Sequence, residues 1–202
     1  MHLFFNCELT DLKKDADLIS IGIISEDGRR FYAEFVDYNR DDCSEWSIKN
    51  LIPRLRFPVP KQGEEYFYKA SRSVHNPVGN DLYSSWSLEM NGDKEAIRKE
   101  LLKWLEQYDN IELVSDSCYY DFTFLIDLLT DGGTVIDLPS NISPACHDIN
   151  QDIAMYFDIS DREAFGIDRE EFLDQVDGDY VIGSVENAIH CAEVIRAVWN
   201  EV

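Results

Sequence analysis

Two apolar runs near the N-terminus constrain this chain most: Leu3-Phe4-Phe5-Asn6-Cys7-Glu8-Leu9-Thr10, and Leu18-Ile19-Ser20-Ile21-Gly22-Ile23-Ile24-Ser25. They read as partner strands, and Glu26-Asp27-Gly28 as a tight hairpin turn into a third strand over Arg29–Tyr38. Strand side chains repeat with period two, which puts Asn6 and Glu8 on one face. Two oxygen-bearing side chains at the end of a buried strand carry a desolvation cost. A divalent metal site is a physical reason to place them there.

The chain has 202 residues, 45% of them hydrophobic, which suits one domain over 1–202 with a single sizeable core. No apolar run approaches the roughly 20 residues of a membrane span, and no basic stretch followed by an apolar one marks a secretory signal. Cys7, Cys43, Cys118, Cys146 and Cys191 are odd in number, scattered, and form no CxxC pair. That usage points to a reducing cytoplasmic setting and away from structural zinc.

Charge is distributed unevenly. The net charge is −22, yet residues 1–104 hold 15 Lys/Arg against 18 Asp/Glu, while residues 105–202 hold 3 against 22. A field of that sign repels polyanions, so any nucleic-acid contact belongs to the N-terminal half. The best segment there carries Lys49, Arg54, Arg56, Lys61, Lys69 and Arg72, interleaved with Phe57, Tyr66, Phe67 and Tyr68. Cations for phosphates and aromatic faces for bases are what a single-strand groove uses. The competing reading is a solvated loop whose aromatics dock it onto the domain.

Downstream elements follow from period and caps. Asp42–Leu51 reads as a short helix ended by Pro53, and residues 53–91 as a long loop or excursion. Asp93 is the expected N-cap of an amphipathic helix reaching Tyr108. Ile111–Ser115 reads as a buried strand, followed by a helix from about Tyr119 to Leu129. Asp148–Phe157 and Asp168–Phe172 are further helical pieces, and a last helix runs from Ser184, its expected cap, to the C-terminus. Strands followed by helices imply an α/β domain with a mixed sheet flanked by helices.

Three stretches resemble the motifs of the DEDD 3'–5' exonuclease superfamily, most closely a bacterial exoribonuclease family of its histidine subtype. Phe4-Phe5-Asn6-Cys7-Glu8-Leu9-Thr10, with Leu18–Gly22 and Glu26-Asp27-Gly28, follows the family's opening frame, except that Asn6 stands where the family has its first metal-binding aspartate. Ser115-Asp116-Ser117-Cys118-Tyr119-Tyr120-Asp121 is similar to its second motif, with Asp121 on the metal-binding aspartate. An aspartate in that position is also a common helix cap. Glu186-Asn187-Ala188-Ile189-His190-Cys191-Ala192 occupies the third frame, with Glu186 at the general-base position and Cys191 at the last metal-binding aspartate. His190 is a tempting substitute base. Adjacent helical side chains are about 100° apart, so it should point away from Cys191's face, as a surface or packing residue.

The resemblance implies a ribonuclease H-like fold and a metal-dependent 3'–5' exoribonuclease acting on single-stranded RNA ends. Glu8, Asp121 and Glu186 are then the catalytic candidates, with Asn6 and Cys191 at altered positions. Glu8, Asp121 and, weakly, Asn6 remain as ligands for Mg or Mn, at most one ion and loosely held, because magnesium prefers hard anionic oxygens. Three departures among five positions imply weakened or lost catalysis, unless Glu186, Asp116 or Asp127 compensates. The alternatives are a catalytically silent module binding nucleic acid or nucleotide, and an acidic protein-interaction scaffold. A homodimer is compatible with each, and a membrane partner with none.

Overall fold

Strand β1 (His2–Leu9) lies inside a sheet that also holds β2 (Leu18–Ser25), β3 (Arg30–Phe35), β4 (Tyr68–Val74), β5 (Ser84–Gly92), β6 (Ile111–Ser115) and β7 (Ile142–Asp148). The computed structural model describes residues 1–58, 68–74, 84–176 and 187–202, and of residues 68–74, 84–86 and 176 it describes the backbone. The strand order is β4-β5-β3-β2-β1-β6-β7. β1 pairs antiparallel with β2 and parallel with β6, β6 pairs parallel with β7, and β2 pairs antiparallel with β3. Beyond β3 come β5, parallel to it, and β4, antiparallel to β5. Helices α1 (Lys94–Leu105), α2 (Cys118–Thr130), α3 (Ile149–Phe157), α4 (Asp161–Phe165), α5 (Arg169–Val176) and α6 (Ala188–Glu201) complete a mixed α/β domain, consistent with the expected ribonuclease H-like fold. No helix among the described residues is long and apolar enough to cross a membrane.

The period-two pattern of β1 sorts its side chains between two cores. Leu3, Phe5, Cys7 and Leu9 join Ile21 and Ile23 of β2, Ile97 and Leu101 of α1, and Leu125 and Leu128 of α2. Phe4 lies on the other face with Val114, Ile149 and Ile153 of α3, and Ile195 and Val198 of α6. Because helices cover both faces, β2 is apolar almost throughout and buried at every position.

Gly22 brings a helix into close contact with the sheet. A Cβ built there would lie 2.3 Å from the Ala188 carbonyl carbon and the Ile189 nitrogen, so the first turn of α6 rests directly on the β2 backbone. Asn6 is the β1 residue paired with Gly22.

Several expected boundaries change. Residues 53–91 are not only a loop: they contain β4 and β5, and Phe31 pairs with Leu88 and Ala33 with Met90. The alternation Trp86, Leu88, Met90 was the signal for β5, masked by the Gly, Pro and Asn content of its flanks. Asp42–Leu51 is not one α-helix. A 3₁₀ turn over Arg40–Asp42, a π-turn over Ser47–Leu51 and a 3₁₀ turn over Ile52–Arg54 replace it, with Pro53 inside the last. The cap of α6 is Asn187, whose side chain accepts the His190 N–H at 3.2 Å; Ser184, expected in that role, lies outside the described residues. Asp93 does cap α1, accepting the Ala96 N–H at 2.8 Å.

Gly22→Ala is expected to lower stability by about 3 kcal/mol, since the added methyl meets backbone rather than a flexible side chain. Urea unfolding monitored by circular dichroism measures this. A loss under half a kilocalorie would mean that α6 does not rest on β2.

Candidate active site

The even-numbered face of β1 changes from apolar to polar along the strand. Phe4 is fully buried, whereas Asn6 and Glu8 are partly exposed. These two side chains line a cleft of about 510 Å³ with Asp121, bordered by Ser44, Trp46 and Tyr120. Glu8 and Trp46 also border a second cleft, of about 350 Å³, with Arg54, Asp116, His190 and Cys191. Glu8 thus stands between the two. The first-strand and second-motif candidates therefore meet, and the Cys191 thiol approaches Glu8 Oε1 at 3.9 Å. Glu186 lies outside the described residues.

Asp121 is positioned by the turn between β6 and α2. Ser115, at the end of β6, donates its hydroxyl to Asp121 Oδ2 at 2.6 Å and accepts the Ser117 N–H at 3.0 Å. The Cys7 N–H donates to Asp121 Oδ1 at 3.3 Å, which ties the start of α2 to β1. The side chain is 2% exposed. Burial drives its pKa well above the ordinary carboxylate value; the Ser115 and Cys7 bonds act against this, and Asp116 and Glu8 add to it. Burial likewise pushes up the neighbouring Cys7 thiol.

This donor set does not suit a pair of hard divalent ions. Asn6 is neutral, and its buried Oδ1 has no hydrogen-bond partner. Both Asp121 oxygens already accept bonds, and burial favours its protonated form. Cys191 offers sulfur where magnesium needs oxygen. Among the described residues no three His, Cys, Asp or Glu side chains converge as a metal site requires.

Of the residues considered as compensation, Glu186 lies outside the described residues, Asp127 is engaged elsewhere, and Asp116 borders the second cleft. Asp127 pairs with Lys94 and borders a different pocket. Asp116 faces Arg169 at 3.7 Å; burial raises its pKa, and the guanidinium lowers it. His190 is 6% exposed and bonds Glu170 Oε1 at 2.8 Å. It borders the same cleft as Cys191, but its ring bonds Glu170 while the Cys191 thiol meets Glu8. The cleft is broad enough to take side chains a quarter-turn apart on α6.

Of the basic and aromatic candidates, Arg54 borders the second cleft. Arg56 is committed to the fold: its guanidinium lies 4.9 Å over the Tyr32 ring and 2.7 Å from Glu89. Glu34, 3% exposed, anchors this segment by accepting the Tyr32 hydroxyl at 2.6 Å and the Phe57 N–H at 3.1 Å. Lys61, Tyr66 and Phe67 lie outside the described residues, and Tyr68, Lys69 and Arg72 fall on β4, where the backbone alone is described. Sequence reasoning missed Ser115 as the residue holding Asp121, and missed Trp46, which is 60% exposed between the two clefts. A serine six residues before the aspartate was the available signal for the first.

No family model matches the chain. Over 113 residues it is 31% identical to a protein of Mycobacterium tuberculosis strain H37Rv named 3'-5' exoribonuclease, and equally to one of strain CDC 1551 with the same description. The match covers 56% of this chain and 59% of each of those proteins, so the chain spans about three-fifths of the length of the curated relatives it matches. The similarity supports an exoribonuclease relationship.

The raised pKa of Asp121 makes a signed prediction. The folded state holds this proton more tightly than the unfolded chain, so stability from this group is full at low pH and falls as pH rises through the folded value. Asp121→Asn removes the titration; its oxygen still accepts the Cys7 N–H, and its amide can donate to the Ser115 hydroxyl. The variant should exceed the parent in stability at neutral pH, with the gain shrinking towards the ordinary carboxylate value of about 3.9. Urea unfolding across pH measures this. A deficit of the variant that grows as pH rises would show that Asp121 is held as a stabilised anion.

Proposed function

We propose that this chain is by lineage a metal-dependent 3'–5' exoribonuclease acting on single-stranded RNA ends, with weakened or lost catalysis. One observation carries the reading: Asn6, Glu8 and Asp121 line a common cleft, with Cys191 against Glu8. The partial similarity to two proteins named 3'-5' exoribonuclease supports it. The cleft offers Glu8 as a partly exposed carboxylate, Trp46 as an aromatic face between the two recesses, and Arg54 as a cation beside the second. A strand end with its phosphate near Arg54 and a base against Trp46 would bring its last linkage towards Glu8.

Catalysis is weak in this reading because the donors are weak. Mg or Mn would bind as one ion at most, and loosely. The silent alternative, a module that binds RNA or nucleotide without cleaving it, draws on the same chemistry: Asp121 has both oxygens engaged and Asn6 carries no charge.

Rebuilding the set tests this. The variant Asn6→Asp, Glu186→His, Cys191→Asp should shorten a 3'-labelled single-stranded oligoribonucleotide one nucleotide at a time, with a requirement for magnesium or manganese. Each single change should do little, because residues acting as a unit contribute non-additively. The parent should be slower by orders of magnitude, a positioned base alone being worth roughly 10²–10⁴-fold. A parent as fast as the triple variant would overturn the weakened-site reading. A triple variant that binds the oligonucleotide yet stays inert would place the defect in positioning of the strand.

A further inference from the structure

Two of the five cysteines meet outside the cleft donors. Cys118 is the first residue of α2 and Cys146 lies on β7, paired in register with Leu113 of β6. Their sulfurs are 2.9 Å apart. That is inside ordinary contact between two sulfur atoms and outside the roughly 2.05 Å of a disulfide. The other three cysteines rest against oxygen: Cys7 near the Asp121 carbonyl at 3.8 Å, Cys43 near the Asn39 carbonyl at 4.0 Å, and Cys191 near Glu8 at 3.9 Å.

The surroundings hold the pair in place. The Cys118 thiol also approaches the His147 carbonyl at 3.2 Å and the Ser115 carbonyl at 3.5 Å, so both walls of the contact are β6 and β7 backbone. Both residues are partly exposed rather than fully buried, which leaves a small oxidant a path to them. Fixed, adjacent and reachable sulfurs need little backbone movement to bond.

We propose that Cys118 and Cys146 are a redox-active pair that closes into an intrachain disulfide when the protein meets a peroxide. Hydrogen peroxide oxidises one thiol to the sulfenic acid and is itself reduced, releasing one water. The second sulfur then attacks the sulfenic sulfur; the S–S bond forms, the S–O bond breaks, and the departing hydroxide takes the thiol proton as a second water. Two electrons leave the thiol pair and reduce the peroxide. A thiol reductant returns the pair to its open state. The bond ties the start of α2 to β7, one helical turn before Asp121, and gives the fold a covalent constraint between that helix and the sheet edge.

The test uses the full chain treated with one equivalent of hydrogen peroxide, then alkylated and digested without reductant. The expected result is a fall from five free thiols to three, an intact mass lower by two hydrogens, and one linked peptide pair containing Cys118 and Cys146. The oxidised form should also melt higher, because the bond closes a long loop in the unfolded chain. Cys118→Ser should yield no intrachain link and leave Cys146 trappable as a sulfenic acid by a dione probe. Five surviving thiols, a link between any other two cysteines, a cross-link between chains, or a link that persists in Cys118→Ser would each overturn the proposal. Peptide mapping of the parent protein decides the matter even if the serine variant fails to fold.

Discussion

The first turn of α6 lies directly on the β2 backbone at Gly22, and much of the candidate site depends on that contact. Any side chain at position 22 would lift Ala188 and Ile189 away from the sheet. Cys191, one turn further along, would leave Glu8, and the α6 side of the second cleft would shift. The same seating lets Ile195 and Val198 pack with Phe4, so the polar and apolar halves of this β1 face are covered by one helix. Fully burying an aliphatic or aromatic side chain is worth about 1.5–3 kcal/mol, so these contacts fix the helix without help from the polar end.

That division explains how the fold tolerates an unconventional polar cluster. Asn6 Oδ1 is buried without a partner, and Asp121 is buried with its pKa driven upward. Each costs stability, and neither is needed to hold β1 in the sheet, since Leu3, Phe5, Cys7 and Leu9 secure the opposite face. Destabilising polar groups gathered at one end of a well-packed strand are what a functional origin leaves behind. Asp121 is held by Ser115 and the Cys7 amide.

Much of this arrangement was legible in the sequence, for identifiable reasons. The alternation of Asn6 and Glu8 along β1, the Asp93 cap and the strand Ile111–Ser115 depend on local pattern, and local pattern reads directly. β5 was hidden because its support is β3, distant in sequence, and β4 because it leans on β5; the flanks of both are rich in turn formers. The Asn187 cap was missed because Ser184 offered an equally good local signal. His190 was placed off the Cys191 face by helical geometry alone; the breadth of the cleft and the Glu170 partner are tertiary facts. Arg56 looked like a phosphate contact, but Tyr32, Glu34 and Glu89 hold its segment against β3 and β5.

In the proposed function, the cleft of Asn6, Glu8 and Asp121 is a nuclease site with a donor set too weak for the pair of ions such chemistry uses. Calorimetric titration of the parent protein with manganese, and separately with magnesium, tests it most directly. The account predicts no more than one site, with a dissociation constant on the order of millimolar, as befits a neutral amide, a buried aspartate with both oxygens engaged and one partly exposed glutamate. Two tight sites in the parent chain would contradict it, and would mean that carboxylates outside Asn6, Glu8 and Asp121 complete the centre.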